Sequence, residues 1–317
     1  RCRGRLRDCR KLAGSARSRE LNTDKPRTMN RPHRGTIHCI DARVIDQQAW
    51  PDRQFIIRLH APACARSAKP GTFVHVRCNP DIPMRRPLSI MRVSASEGWI
   101  EVLYKVVGHG LIALSRAEPG ELVNLLGPVG RGFRPDPARP QAVLIGGGVG
   151  IPPLVFLAAT LAPLPAAVAF LGSESPFPFA ATTAQLPLPG TPASASACMP
   201  QLEALGIASR LASKAGLPGS YPGYVTDLAR SWLATRSAAD LSAMTIYACG
   251  PTPMLRAVQQ LATSFSLPTQ LCMEEFMACA VGGCAGCVVP VMIDGQRQMK
   301  RVCVDGPVFD GATLYAK

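Results

Sequence analysis

Long apolar runs are missing from the 317-residue sequence, and none reaches the roughly 18–20 residues that a membrane-spanning helix needs. The nearest candidates, around Val143–Ile145 and Leu154–Leu164, are broken by glycine and proline. Also missing is the apolar region of a secretory signal, and with it the setting in which twelve cysteines would form a disulfide framework. A cytoplasmic location is therefore expected. Acidic residues are scarce at the start of the chain. Residues 1–34 hold 12 of the 35 Lys/Arg but 3 of the 21 Asp/Glu, a net +9 that leaves only +5 for the rest. That distribution argues against a general nucleic-acid surface, so residues 1–33 are expected to be a basic disordered tail. An upstream extension ahead of Met29 is the same reading; an RNA-binding arm and a targeting peptide are its alternatives. No His and acid pair suited to general acid/base work is evident either.

Apolar residues make up 47% of the chain, which is too long for one ordinary core, so two or three domains are expected. Between residues 36 and 133 short segments rich in Val, Ile, Phe and Thr are punctuated by Gly, Pro, Asp and Ser. They are Thr36–Ile45, Gln54–His60, Gly71–Cys78, Pro87–Val93 and Trp99–Val107, the pattern of a small β-barrel, with one helical piece near Leu111–Arg116. From Gln141 the pattern becomes strand, glycine loop, apolar helix, strand (Ala142–Ile145, then Ala166–Leu171), which argues for a parallel sheet covered by helices. Strand and helix signals resume at Tyr224–Leu233, Thr245–Ala248 and Pro253–Ala262. Residues 173–200, dominated by Pro, Ala, Ser and Thr, are expected to be a long loop that adds little to the core.

Eight cysteines are scattered and four cluster late in the chain: Cys279, Cys284, Cys287 and Cys303. The spacing C-x4-C-x2-C, then 15 residues and a fourth Cys, supplies three thiolates from one tight loop and one from afar. A [2Fe–2S] cluster needs that donor set, whereas zinc sites favour paired knuckles. Gly282, Gly283 and Gly286 allow positive φ and close backbone approach, so backbone amides can point at the sulfurs.

Two further segments suit nucleotides. Arg86-Pro87-Leu88-Ser89 lies on a candidate strand, with Arg86, Leu88 and Ile90 on one face and Ser89 on the other. Gly108-His109-Gly110 precedes a short helix whose start suits a pyrophosphate, with His109 facing solvent. Gly146-Gly147-Gly148-Val-Gly150 sits between a buried strand and a helix, and Cys249-Gly250-Pro251 ends another strand about 100 residues later. Cys249 is a packing or positioning residue rather than a nucleophile.

These segments resemble the ferredoxin–NADP reductase superfamily. The resemblance implies that Arg86 contacts an FAD diphosphate and Ser89 lies near the flavin ring. Gly108 and Gly110 match the pyrophosphate loop, with Leu111 where a hydroxyl residue is usual. It also implies that the glycine run binds NAD(P) and Cys249-Gly250-Pro251 sits beside the nicotinamide. Ala212-Ser213-Lys214 falls near the adenosine ribose, leaving NADH and NADPH both open.

The order barrel, dinucleotide domain, cysteine unit, with Met273–Cys279 and Lys300–Phe309, resembles the electron-transfer subunits of dihydroorotate dehydrogenase B. The fold class implied is a β-barrel plus α/β: an FAD-binding antiparallel barrel (34–136), a Rossmann-like NAD(P) domain (137–270) and a small C-terminal [2Fe–2S] domain (271–317). The implied function is an electron relay between NAD(P) and a partner catalytic dehydrogenase subunit of pyrimidine biosynthesis. A reductase serving a ferredoxin, hydrogenase, glutamate-synthase-like or oxygenase partner is one alternative. A zinc- or nucleic-acid-binding regulatory protein is another. Ala280 stands where the family usually has Gly.

Overall fold

The computed structural model describes residues 36–162 and 167–315. The basic tail and the start of the strand expected from Ala166 lie outside the described residues. Six strands come first: β1 (His38–Trp50), β2 (Gln54–His60), β3 (Phe73–Arg77), β4 (Arg86–Ser94), β5 (Trp99–Lys105) and β6 (Leu122–Val129). All neighbours pair antiparallel in the order β1-β2-β5-β4-β3-β6, and β6 pairs back onto β1, so the barrel closes without a free edge. Alternation fills its interior. Val74, Val76, Leu88, Ile90, Ile100 and Val102 pack inside together with Leu125. Two short helices, α1 (Pro62–Ser67) and α2 (Gly108–Leu114), add Cys64, Ala65, Leu111 and Leu114 to this core.

The chain then builds β7 (Gln141–Gly147), α3 (Ile151–Leu161), β8 (Ala167–Gly172), β9 (Thr182–Thr183), β10 (Ala197–Cys198), α4 (Pro200–Glu203) and β11 (Ala208–Ala212). After them come α5 (Val225–Leu233), α6 (Ala238–Ser242), β12 (Met244–Cys249), α7 (Thr252–Ser264) and β13 (Thr269–Cys272). The sheet order is β11-β8-β7-β12-β13-β16, with β16 spanning Val308–Asp310, and it is parallel except for that last strand. Every residue of β12 is buried, as a central strand covered on both faces should be. The chain winds from β7 outward through β8 to β11 and returns to the other side of β7. The topological switch point thus lies between β7 and β12, where doubly wound sheets open a ligand crevice at their carboxyl ends.

The last residues form a hairpin, β14 (Val288–Ile293) and β15 (Gln296–Arg301), and then β16 (Val308–Asp310), which pairs antiparallel with β13 and so joins the main sheet. Among the described residues no helix is long and apolar enough to cross a membrane.

The stretch 173–200 departs from the sequence expectation. Phe177, Phe179, Ala197 and Met199 are buried in the core that α3 shares with β7 and β11, and Leu188 and Ala195 enter a second core. Gln54 Nε2 donates to the Pro176 carbonyl at 2.7 Å, tying the stretch to the barrel. Its apolar residues obey no period because irregular backbone delivers them singly, so a periodicity reading passes over them.

Candidate functional site

The four late cysteines come together as two pairs. The backbone N–H of Cys284 points at Cys279 Sγ from 3.4 Å, and that of Gly286 points at Cys284 Sγ from 3.4 Å. Cys287 Sγ and Cys303 Sγ are 3.3 Å apart and buried. The 15-residue gap is a hairpin. Asp294 (φ +51°) and Gly295 (φ +73°) make the tight turn typical of two-residue β-hairpins, and the register Val288 opposite Arg301 returns the chain beside its start. Val302 N–H then donates to the Cys287 carbonyl at 2.9 Å, which sets Cys303 next to Cys287. Among the described residues no three His, Cys, Asp or Glu side chains gather as a single-ion site would require. Two neighbouring thiol pairs are what a two-iron cluster asks for, one pair for each iron.

The loop uses positive φ at one of its three glycines and at two alanines. Positive φ falls on Ala280 (+56°), Gly282 (+82°) and Ala285 (+54°), and not on Gly283 or Gly286. The amides still converge. Burial opposes ionisation of Cys279, but the N–H groups of Val281, Cys284 and Gly283 outweigh it and bring the thiol down to about 6. Cys303 is pushed up to about 12 by burial and the adjacent Cys287 thiol. The thiol nearest the amide-rich loop is thus the one that ionises most readily.

In the barrel, two adjacent arginines part company. Arg85 is spent on protein partners. It donates to the His75 carbonyl at 3.1 Å and the Asn124 carbonyl at 3.2 Å, and also to Asn124 Oδ1. Arg86 reaches only the nearby carbonyls of Met84 and Arg85 among the described residues, and its guanidinium lies over Gly110, where a Cβ would stand 3.4 Å from it. Gly108, His109 and Gly110 form the first turn of α2, which no side chain caps, so its free amides face the same place as Arg86. His109 is exposed, as expected. Ser89 sits opposite Phe73 across the β3–β4 pair, with Pro87 and Leu88 between it and Arg86.

The crevice at the switch point brings the other two motifs together, with Cys249 in register with Gly146. Its glycines serve different ends. A Cβ on Gly150 would lie 2.4 Å from the Cys249 carbonyl group, and one on Gly147 would lie 2.4 Å from Met254 Sδ, so both permit close packing of the motifs. Only Gly148 (φ +54°) faces open space. Pro152 and Pro153 follow at the start of α3 and carry no N–H, which leaves the amides of the glycine turn as the available donors. Cys249 is fully buried beside Cys272; that hydrogen-bonded thiol and burial hold its pKa well above normal, so it is no nucleophile. Pro251 caps the start of α7 from an exposed position. Lys214 donates to Tyr224 Oη at 3.1 Å and lies over its ring.

Two residues here escaped the sequence reading. Glu274 follows β13 and is exposed, yet surrounding protein desolvates its carboxyl and raises its pKa, and its charge acts on Cys249. His75 is buried between the barrel and the cysteine segment. His75 lies in no motif and only its burial marks it, while Glu274 lies in the Met273–Cys279 segment, where no local pattern assigns it a role.

The family model for the iron–sulfur cluster binding domain of dihydroorotate dehydrogenase B matches residues 274–315. The electron transfer subunit of dihydroorotate dehydrogenase B (NAD(+)) from Desulforamulus reducens is 34% identical over 272 residues, covering 85% of this chain and 95% of that protein. Its counterpart from Geobacillus thermodenitrificans is 34% identical over 273 residues, with 84% and 94% covered. Among solved structures, the NADH-dependent reduced ferredoxin-NADP oxidoreductase superposes with a TM-score of 0.68 at 25% identity, covering 86% of this chain and 89% of that one. The ferredoxin reductase in carbazole 1,9a-dioxygenase, at TM-score 0.54 and 20% identity over 73% of this chain and 67% of that one, shares the fold. By sequence over nearly its whole described length, by fold and by its paired thiols, the chain belongs to the family of dihydroorotate dehydrogenase B electron-transfer subunits.

Proposed function

We propose that the protein is the electron-transfer subunit of an NAD+-linked dihydroorotate dehydrogenase, an oxidoreductase subunit that works with a catalytic partner. The observation that carries this reading is the placing of two thiol pairs in the same compact unit as the β7–β12 crevice and the Arg86–Gly110 cradle. When bound, FAD exchanges hydride with a nicotinamide and single electrons with a [2Fe–2S] cluster, so the cofactors supply the chemistry. The chain supplies the binding. Cys279 with Cys284, and Cys287 with Cys303, hold the two irons, and the amides of Cys284 and Gly286 stabilise charge on the sulfurs. Arg86 and the first turn of α2 hold the FAD diphosphate, and Ser89 lies along the flavin-facing edge of β4. Gly148 admits the pyridine dinucleotide, whose nicotinamide lies against Cys249-Gly250-Pro251. The names of the relatives favour NAD+ as the coenzyme. The division 34–136, 137–270 and 271–317 assigns one cofactor to each segment.

Partner docking is favoured by an apolar rim around the cysteines. Phe276 is 94% exposed, and Val281, Val288 and Met299 are exposed near it in sequence or on the hairpin. The test is spectroscopic. Purified protein should show flavin and iron–sulfur absorption, with one FAD, two irons and two sulfides, and should co-purify with a co-expressed catalytic dihydroorotate dehydrogenase subunit. Absence of a flavin band, or zinc in place of iron, would sink the reading. Loaded protein that passes electrons to a ferredoxin and ignores the dehydrogenase would favour the free-standing reductase.

A further inference from the structure

Alternation along β3 sends Val74 and Val76 into the barrel, and Phe73 and His75 out of it. The outer position is nonetheless dry, because His75 is 0% exposed. Above this face lies the segment that runs from β13 to the first cysteine; Phe73 shares a core with Met273, Met277, Ala280 and Cys287. The His75 ring sits between two backbone carbonyls, those of Met277 and Arg85. Neither approach completes a hydrogen bond, so Nδ1 and Nε2 both stand buried without a full partner. Burial, with the Arg85 and Arg86 guanidiniums, holds the imidazole down at about 4, so the ring is neutral and owns one N–H for two acceptors. A buried donor left unmatched is destabilising, and an aliphatic side chain would fill this place without that cost. The backbone of His75 pairs with Pro87, inside the Arg86–Ser89 segment, while its ring reaches Met277, two residues before Cys279.

We propose that His75 is a positioning residue for electron transfer: its buried ring aims its single N–H at the Met277 carbonyl, and this polar approach sets the cluster-bearing segment against the flavin-bearing strand pair. The inference rests on the function proposed above. It matters because electron transfer between fixed centres falls steeply with separation, and this link joins the two sites through one side chain.

Three holoprotein variants test it: His75→Leu keeps the volume and removes the donor, and His75→Asn and His75→Gln place an amide N–H at one or the other ring-nitrogen position. Stopped-flow absorbance separates reduction of the flavin by NADH, which becomes NAD+, from the one-electron reduction of the cluster that follows. Flavin reduction should keep its wild-type rate in every variant. Cluster reduction should slow by about tenfold or more in His75→Leu, in line with the cost of an ångström-scale misplacement, and return in one of the two amide variants. The electron paramagnetic resonance signal of the reduced cluster should be heterogeneous in the slow variants and uniform in the rescued one. If His75→Leu does not load its cofactors, the contrast between the two amides decides the matter. Equal, wild-type cluster reduction in Asn and Gln overturns the inference, as does equal slowing of both steps in all variants. Wild-type protein without flavin or iron overturns the function itself, and this inference with it; loaded wild type with insensitive variants overturns the inference alone.

Discussion

The neighbours Arg85 and Arg86 show how much a single residue's surroundings decide. Both carry the same guanidinium, yet Arg85 is committed to His75 and Asn124 while Arg86 lies free over Gly110. Removing a charged hydrogen-bond donor costs about 1.5–3 kcal/mol. Arg86→Ala should therefore weaken FAD binding roughly tenfold to a hundredfold with little change in apoprotein melting, whereas Arg85→Ala should lower the melting temperature first. Flavin fluorescence titration beside thermal melting checks both. His75 makes a second residue-scale prediction. Its folded pKa of about 4 lies below the unfolded value of 6.5, so between those values the unfolded chain binds the extra proton. Stability is then full above pH 6.5 and falls as the pH drops towards 4, by roughly 2 kcal/mol between pH 7 and pH 5. His75→Gln should remove that part of the slope; an unchanged difference in melting between pH 7 and pH 5 would refute it. The arginine motif was legible in the sequence, but the division of labour within it was not, because partners at Asn124 and Gly110 lie far along the chain.

At the scale of elements, the segment 173–200 and the β14–β15 hairpin teach opposite lessons. The Asp294-Gly295 turn is a local signal for the reversal that joins Cys287 to Cys303, although the spacing of the cysteines alone did not predict a hairpin. The 173–200 stretch has no such signal, and yet Phe177 and Phe179 pack together, their ring centroids 5.1 Å apart and their planes tilted by 33°, and enter the core beneath α3. Truncating a buried phenylalanine costs about 3–5 kcal/mol, so Phe179→Ala should lower the melting temperature by several degrees or more, as calorimetry would show. A mere surface loop would show no such loss. The apolar rim of the cysteine element gives a third test. Phe276→Asp should leave iron and flavin contents intact and abolish co-purification with the catalytic subunit, since the aromatic ring is 94% exposed and supports no core.

Across the whole molecule, the proposed relay would depend on the fold bringing residues 86, 110, 148, 249 and 303 into one unit. Cys303→Ser should cost the cluster its fourth thiolate. Iron content should fall while the flavin band and flavin reduction by NADH persist, and electron flow to the partner should stop; metal analysis and stopped-flow absorbance read both. The sequence by itself determined the barrel, the parallel sheet, the four thiols and the nucleotide motifs, because alternation, glycine turns and ligand spacing are local and survive without a fold. It gave no sign that Ala280 and Ala285 take positive φ beside Gly282, because the packed loop imposes that conformation. Only the tertiary structure decided which glycine of the run faces open space, which arginine is free, how the thiols pair, and that His75 and Glu274 are crowded enough to matter. Those are properties of burial and of partners distant in sequence, which close packing creates and no local pattern records.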